Sequence, residues 1–410
     1  MNMRKLILSL ILLFCAVIST FACTSFVVSG KATPDGRPLL LKNRDTGNLN
    51  NLVALVNGER YTYIGIFAAN DKEHRHAWSG HNEKGFAIMN TAAYNLNGND
   101  GDSDGDGLVI RRALEICATL ADFEHLLDTL PRPMDVNANF GVIDAHGGAA
   151  YYETGHNGFV KFDANDPMVA PNGYLVRTNF GFSGDHDLDQ GVERFAAISS
   201  FMQSAYDLGK INIDYLLTNV PHYLTHGTTK LNLYDYMPEN EEQTTMFPFR
   251  DFIPRYQTAS AQLFQGVRDG ENPLLTVAWT YVGSPLCTVA IPLCITPSKK
   301  LPVVVLAGKN GDAPLTKAGL TLKERLFPQK RGNGKDYINL AALINRQGTG
   351  ILQQLEPLED EIIKRAKPLI HQMYRNGNTF EAWDSYYTWV DKIIMEEYQT
   401  KFGLLLEEDI

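Results

Sequence analysis

The 410-residue chain reads as an α+β protein built from layers, and three observations predict that class. From Cys23 to about residue 185, short β-like runs alternate with turn signals. Apolar residues at helical spacing interrupt these runs at "LVIRRALEICATL" and "LADFEHLLDTL". From about Glu356 onward the chain is mostly helical, rich in Glu, Lys and aromatics. Strands and helices are thus grouped, without the regular β-α-β alternation of a parallel sheet.

The N-terminus, "MNMRKLILSLILLFCAVISTFA", sets Arg4 and Lys5 before an apolar run from Leu6 to Ile18. Small residues Thr20 and Ala22 stand at the third and first positions before Cys23, which predicts a secretory signal over residues 1–22 cut at that cysteine. Its apolar part is short for a membrane span, and no later segment offers ~20 uninterrupted apolar residues. The expected protein is therefore exported, periplasmic or extracellular, with no membrane contact once the signal is removed. One large domain over residues 23–355 and a helical segment over 356–410, packed on it, complete the expected organisation.

After the cut, "CTSFVVSG" and "RPLLLKNRD" flank "TPDG", with Pro at the second turn position and Gly at the fourth. A hairpin closed there sets Cys23 opposite Asp45 to within one residue of register. The helix "LVIRRALEICATL" begins after "GDGDG", and "LADFEHLLDTL" ends before "PRP". Strands follow at "NFGVIDAHGGAAYYET" and "GYLVRTNF", a helix at "GVERFAAISSFMQSAYDL", and paired strands at "LLTVAWTYVGSPLCTVAIPLCI". On one extended strand Cys287 and Cys294 would lie about 23 Å apart, whereas a disulfide needs Cα atoms within about 7 Å. Both are expected as buried, unpaired thiols.

Composition narrows the function. Apolar residues make up 44% and charged residues 20%, which fits a globular protein with a real core. The net charge of −10 and the lack of a long basic run exclude nucleic acid as the expected partner. The first hairpin carries chemistry instead. A processed Cys23 would bring a thiol, its own α-amine and the Asp45 carboxylate to one corner. A thiol attacks a carbonyl as the thiolate and needs a base nearby. An α-amine, with a reference pKa of about 7.7–8.0, suits that task near neutrality.

These residues resemble the linear amide hydrolases of the N-terminal nucleophile class. Those are the choloylglycine hydrolase family (bile salt hydrolase and penicillin V acylase) and the related acyl-coenzyme A:6-aminopenicillanate acyltransferase-like peptidases of C45 type. The family opens its mature chain with Cys-Thr, met by Cys23-Thr24. Its Arg-Asn-x-Asp-like segment is met by "KNRD", which carries the catalytic aspartate onto Asp45. "HNEKGFAIMN" matches the segment that supplies an oxyanion-hole residue, Asn90; "VRTN" supplies Asn179, and "ERFAAISSF" supplies Arg194. Taken singly, both asparagines read as strand-end turn residues and Arg194 as a helix-surface charge; their order behind a processed cysteine turns the reading toward a site. One departure stands out: the family's arginine three residues before the aspartate is Lys42, with Arg44 as the nearby substitute.

The resemblance implies a four-layer αββα sandwich with a C-terminal helical extension. It implies hydrolysis of a linear amide, or acyl transfer, through an acyl-enzyme on Cys23, acting on a small-molecule amide and calling for no cofactor. Asp45 would position thiol and amine, Asn90 would donate to the oxyanion, and Asn179 and Arg194 would hold the site in order. A homo-oligomer is left open. The rival reading is a lipid-anchored binding or structural protein attached through Cys23; Phe21, where a small residue is usual in such signals, speaks against it.

Two further clusters carry metal-ligating residue types. Asp100, Asp102, Asp104 and Asp106 alternate with glycines like the start of a calcium loop, and Gly105 falls at its sixth position, but Arg111 stands where the bidentate Glu belongs. A solvated loop before a helix N-terminus accounts for the acids as well. His74, His76 and His81 lack an evident further ligand for zinc and read as strand or loop histidines.

Overall fold

Cys23 stands immediately before strand β1 (Thr24–Val28), whose five residues are all buried in a computed structural model that describes residues 23–97, 105–377 and 380–406. Strand β2 (Leu39–Asp45) runs antiparallel to it and is also buried throughout. Burial on both faces explains the near-continuous apolar runs "FVV" and "LLL": a strand enclosed in a layered sandwich has no solvent side. The expected turn forms, with Gly36 N–H donating to Thr33 O at 3.3 Å. A 3-10 turn over Gly30–Ala32, capped by Ser29 Oγ, precedes it and lengthens the connection. The register pairs Thr24 with Asn43 and Ser25 with Lys42. Continued by one residue, it sets Cys23 opposite Arg44, one step from the expected partner Asp45. That step decides faces, because side chains alternate along a strand. Lys42 and Arg44 share the Cys23 side, and Asp45 takes the other.

The next seven strands form one antiparallel sheet in sequence order: β3 (Asn51–Asn57), β4 (Thr62–Ala68), β5 (Ser79–Asn82), β6 (Ala87–Ala92), β7 (Ala138–Ile143), β8 (Ala149–Gly155) and β9 (Gly158–Asp163). Helices α1 (Asp106–Ile116) and α2 (Leu120–Thr129) lie between β6 and β7. A capping box between Thr119 and Asp122 starts α2. The first sheet is completed by β10 (Tyr174–Arg177), β12 (Thr258–Gln265), β13 (Val277–Val282) and β14 (Ile291–Leu293), in the order β10-β1-β2-β12-β13-β14. Strand β11 (Met246–Pro248) pairs apart with β15 (Tyr337–Asn339).

The two large sheets face each other. Val27, Leu40, Phe264 and Ala278 of the first meet Ala87, Met89, Ile143 and Tyr151 of the second in a closed apolar layer. Outside the second sheet α1 packs on β4, β5 and β6, and Phe123 of α2 meets Phe140 and Tyr152 edge-on at 5.6 and 5.2 Å. Outside the first sheet α3 (Val192–Asp207) packs on β1 and β10, and α4 (Ile213–Asn219) on β12. The layering is αββα.

Later helices α5 (Pro314–Leu326), α6 (Leu340–Leu343), α7 (Ile351–Asn376) and α8 (Trp383–Phe402) close the far end. Helix α7 is keyed into the first sheet by Glu359, which accepts from Tyr281 Oη and Ala290 N–H, both at 2.9 Å. Tyr398 of α8 donates to the carbonyl of Cys287 at 2.8 Å, and Tyr387 lies against Cys294. Both cysteines are buried free thiols, as expected. Among the described residues no helix is long and apolar enough to cross a membrane.

Candidate active site

The site is assembled where β1 begins, β2 ends and α3 starts. Cys23 is 7% exposed, and its thiol faces the main-chain carbonyl of Asp45 at 3.9 Å. Its own carbonyl accepts from Arg194 Nη1 at 2.6 Å. Arg194 also donates to Thr24 Oγ1 at 3.2 Å and, through Nη2, to Asn179 Oδ1 at 2.8 Å. Asn179 in turn donates to the carbonyl of Ala92, at the end of β6, at 2.9 Å. One buried guanidinium thus ties the first residue of β1 to the segments after β10 and β6. Burial, with the like charge of Arg255, brings Arg194 down to about 10, against the pull of Asp45 and Cys23. Arg194 is no surface charge; it sits in the first turn of α3 and points inward.

Asp45 faces the other way. Its Oδ2 accepts from Arg255 Nε and its Oδ1 from Thr258 Oγ1, each at 2.6 Å, with Asn43 Nδ2 at 3.4 Å from Oδ1. Both carboxylate oxygens are therefore engaged by side chains, and the Asp45 atom that meets the sulfur is its main-chain oxygen. Sequence reading missed Arg255 and Thr258. They lie more than two hundred residues along the chain, and only the pairing of β2 with β12 brings them to Asp45.

On the face shared with Cys23, Lys42 is fully buried and donates to Asn90 Oδ1 at 2.6 Å and to Trp78 O at 2.7 Å. Asn90 passes the line on, donating from Nδ2 to Asp106 Oδ2 at 2.9 Å. Asp106, in the first turn of α1, also accepts from Asn137 N–H at 3.3 Å. An amide has two N–H donors, so this arrangement leaves Asn90 a second one. Burial brings the Lys42 ammonium down to about 8, against the attraction of Cys23, Asp106 and Asp45. Arg44 donates to Asn51 Oδ1 at 2.6 Å and stacks on Trp78 at 4.6 Å; burial brings it down to about 10. Lys42, not Arg44, reaches Asn90.

Lys42, Arg44 and Arg194 thus lie around Cys23; Asn90 joins through Lys42 and Asn179 through Arg194, whereas Asp45 meets the thiol by its main chain and turns its carboxylate to the opposite face. Asp100, Asp102 and Asp104 lie outside the described residues, and Asp106 belongs to the Asn90 line. Among the described residues no three His, Cys, Asp or Glu side chains are grouped to hold a metal. His81 is buried on β5 against Phe264, where burial brings it down to about 3; His76 faces Asp71 at 3.5 Å and His74 packs on Phe67.

No curated protein matches the chain in sequence. Among solved structures, the chain is similar to an N-acylethanolamine-hydrolyzing acid amidase ortholog of Caenorhabditis elegans, at 14% identity and TM-score 0.36, over 61% of this chain and 93% of that one. It is similar to a variant of conjugated bile acid hydrolase from Clostridium perfringens at 12% identity and TM-score 0.37, over 67% and 92%. Penicillin V acylase from Agrobacterium tumefaciens gives 12% and 0.36, over 68% and 87%. The family model described as acyl-coenzyme A:6-aminopenicillanic acid acyl-transferase matches residues 32–283, more than half the chain and the stretch that holds every site residue named above except Cys23 and Thr24, and the protein belongs to that family.

Proposed function

We propose that the mature chain begins at Cys23, after export and removal of residues 1–22 to the periplasm or the exterior, and cleaves a linear amide through an acyl-enzyme on that thiol. Amide hydrolysis or acyl transfer is the chemistry of the family; to it we add Cys23 as the nucleophile and a thioester as the intermediate. One observation carries it: Cys23 stands directly before the first strand of the fold, with its carbonyl gripped by Arg194 and its sulfur under the charges of Lys42, Arg44 and Arg194.

In the proposed reaction the freed α-amine takes the thiol proton, and sulfur attacks the amide carbon. The C–S bond forms as the carbonyl π pair moves to oxygen. The second Nδ2 proton of Asn90 and the nearby cations stabilise that oxyanion. The pair then returns, the C–N bond breaks, and the α-ammonium gives its proton to the leaving amine. Water, or an acceptor amine in the transfer variant, attacks the thioester by the same steps in reverse. Asp45 keeps the strand end in place, and Asn179 holds Arg194 on Cys23.

The reading is tested by measuring amine release from a panel comprising penicillin V, glycocholate, N-acylethanolamines and N-acyl amino acids. Turnover of at least one by the processed protein is expected, with near-complete loss in Cys23→Ser, because a hydroxyl is the weaker nucleophile near neutral pH. Undiminished turnover in that variant would refute the mechanism.

A further inference from the structure

The Asp45 carboxylate is held by the turn that leads into β12. In the stretch Arg255-Tyr256-Gln257-Thr258, the Thr258 N–H donates to Arg255 O at 3.0 Å, and the Arg255 N–H donates to Thr258 Oγ1 at 2.9 Å. The closed turn directs Arg255 Nε to one oxygen of Asp45 and the Thr258 hydroxyl proton to the other. It grips the next peptide too, because Thr46 N–H donates to Gln257 O at 2.9 Å.

The pairing of β12 with β2 slips between Thr258 and Ser260, a bulge of the kind that re-aims a side chain beside a site. Lys323 of α5 reaches in from behind, its buried ammonium donating to the Thr258 carbonyl at 2.7 Å. Burial brings Lys323 down to about 8, so a cation is kept there at a cost. A strand that needed only to be paired would require none of these groups.

We propose that the Arg255–Thr258 turn, backed by Lys323, is the positioning element of the nucleophile: it fixes Asp45 by side chain and following peptide, and so holds the Asp45 carbonyl against the Cys23 thiol. The inference rests on the reading of Cys23 as nucleophile. Thr258, Arg255 and Lys323 act through Asp45 and touch neither sulfur nor acyl group.

The test uses the processed protein and p-nitrophenyl acetate as a general acyl donor, following the burst of p-nitrophenolate as the C–S bond forms and the C–O bond breaks. Thr258→Val, which keeps the shape and removes the hydroxyl, should slow the burst ~10–100-fold, the range expected when a reacting group shifts by about an ångström. The half-saturating ester concentration should change by less than about threefold, and Thr258→Ser, which restores the hydroxyl, should return the rate to within about threefold of wild type. A purely structural role would lower the melting temperature and leave the burst alone. Should Thr258→Val fail to fold, Lys323→Met gives the same reading, with about tenfold slowing expected. A Cys23-dependent burst left at the wild-type rate by the folded variant, or a Thr258→Ser variant as slow as Thr258→Val, would overturn this inference alone. No burst in wild type, or an equal one from Cys23→Ala, would remove the nucleophile reading and this inference with it.

Discussion

Replacing Gly191 by alanine would put a methyl group 2.2 Å from Arg194 Nη2, the nitrogen that holds Asn179. Two separate costs follow. Gly191 caps α3 at φ 75°, ψ 27°, a left-handed conformation that costs an L side chain roughly 1–2 kcal/mol. Ordinary contact begins near 3.4 Å, so the guanidinium must also retreat by about 1 Å. Moving it that far carries its bonds of 2.6 Å to Cys23 O and 2.8 Å to Asn179 Oδ1 beyond good hydrogen-bond length. Gly209 separates the two costs: it has φ +62° and open space around its would-be Cβ. Gly209→Ala should lose stability through the backbone term alone and acylate at the wild-type rate. Gly191→Ala should lose more stability and acylate ~10²-fold more slowly in the p-nitrophenyl acetate burst. Equal burst rates for the two alanine variants would refute the role given to Arg194.

Three further outcomes follow from the site and its surroundings. Lys42 is charged below about pH 8 and neutral above it, so turnover should fall as pH rises through that value; Lys42→Arg should move this alkaline limb upward by more than a unit, because a guanidinium keeps its proton, and an unmoved limb would assign it to another group. Asp106→Ala removes the acceptor that orients Asn90; kcat should fall ~10–10²-fold with melting little changed, as for loss of an oxyanion donor, and a wild-type kcat would contradict that link. Burial raises Glu359 to about 7, so its stabilising protonation is complete below about 4.5 and lost as pH rises through about 7. A Gln at that position can accept from Ala290 N–H and donate to Tyr281 Oη, so Glu359→Gln should gain up to ~3 kcal/mol on wild type between pH 5 and pH 8; a melting difference independent of pH would count against the assignment.

Much of this was legible in residue order. The two helices after "GDGDG", the long α3 and the late paired strands follow from apolar spacing and turn residues, which act locally. Cys23, Asn90, Asn179 and Arg194 could be named because each sits in a short motif with its neighbours. What stayed hidden depends on pairing across distance. The 3-10 turn at Gly30–Ala32 shifted the first hairpin by one step, enough to send the Asp45 side chain to the opposite face from Cys23. Arg255, Thr258 and Lys323 look like an ordinary loop cation, a strand-start threonine and a helix lysine. Their meaning appears only when β12 lies beside β2 and α5 packs behind it. Asp106 was legible as an acid at a helix N-terminus, but its bond to Asn90 was not.

The central claim is that the Cys23 sulfur carries the acyl group and the Cys23 amine serves as its base. A thioether to a lipid would occupy that sulfur, and an acylated amine would lose its basicity, so the lipid-anchor reading and this one exclude each other. Intact mass with fragmentation of the protein from an exporting host, after incubation with the amide panel, tests the claim most directly. The account predicts a chain that starts at Cys23 with a free α-amine and carries a single acyl group on that sulfur. A lipid on Cys23, an uncut N-terminus in active protein, or an acyl adduct on any other residue would contradict it.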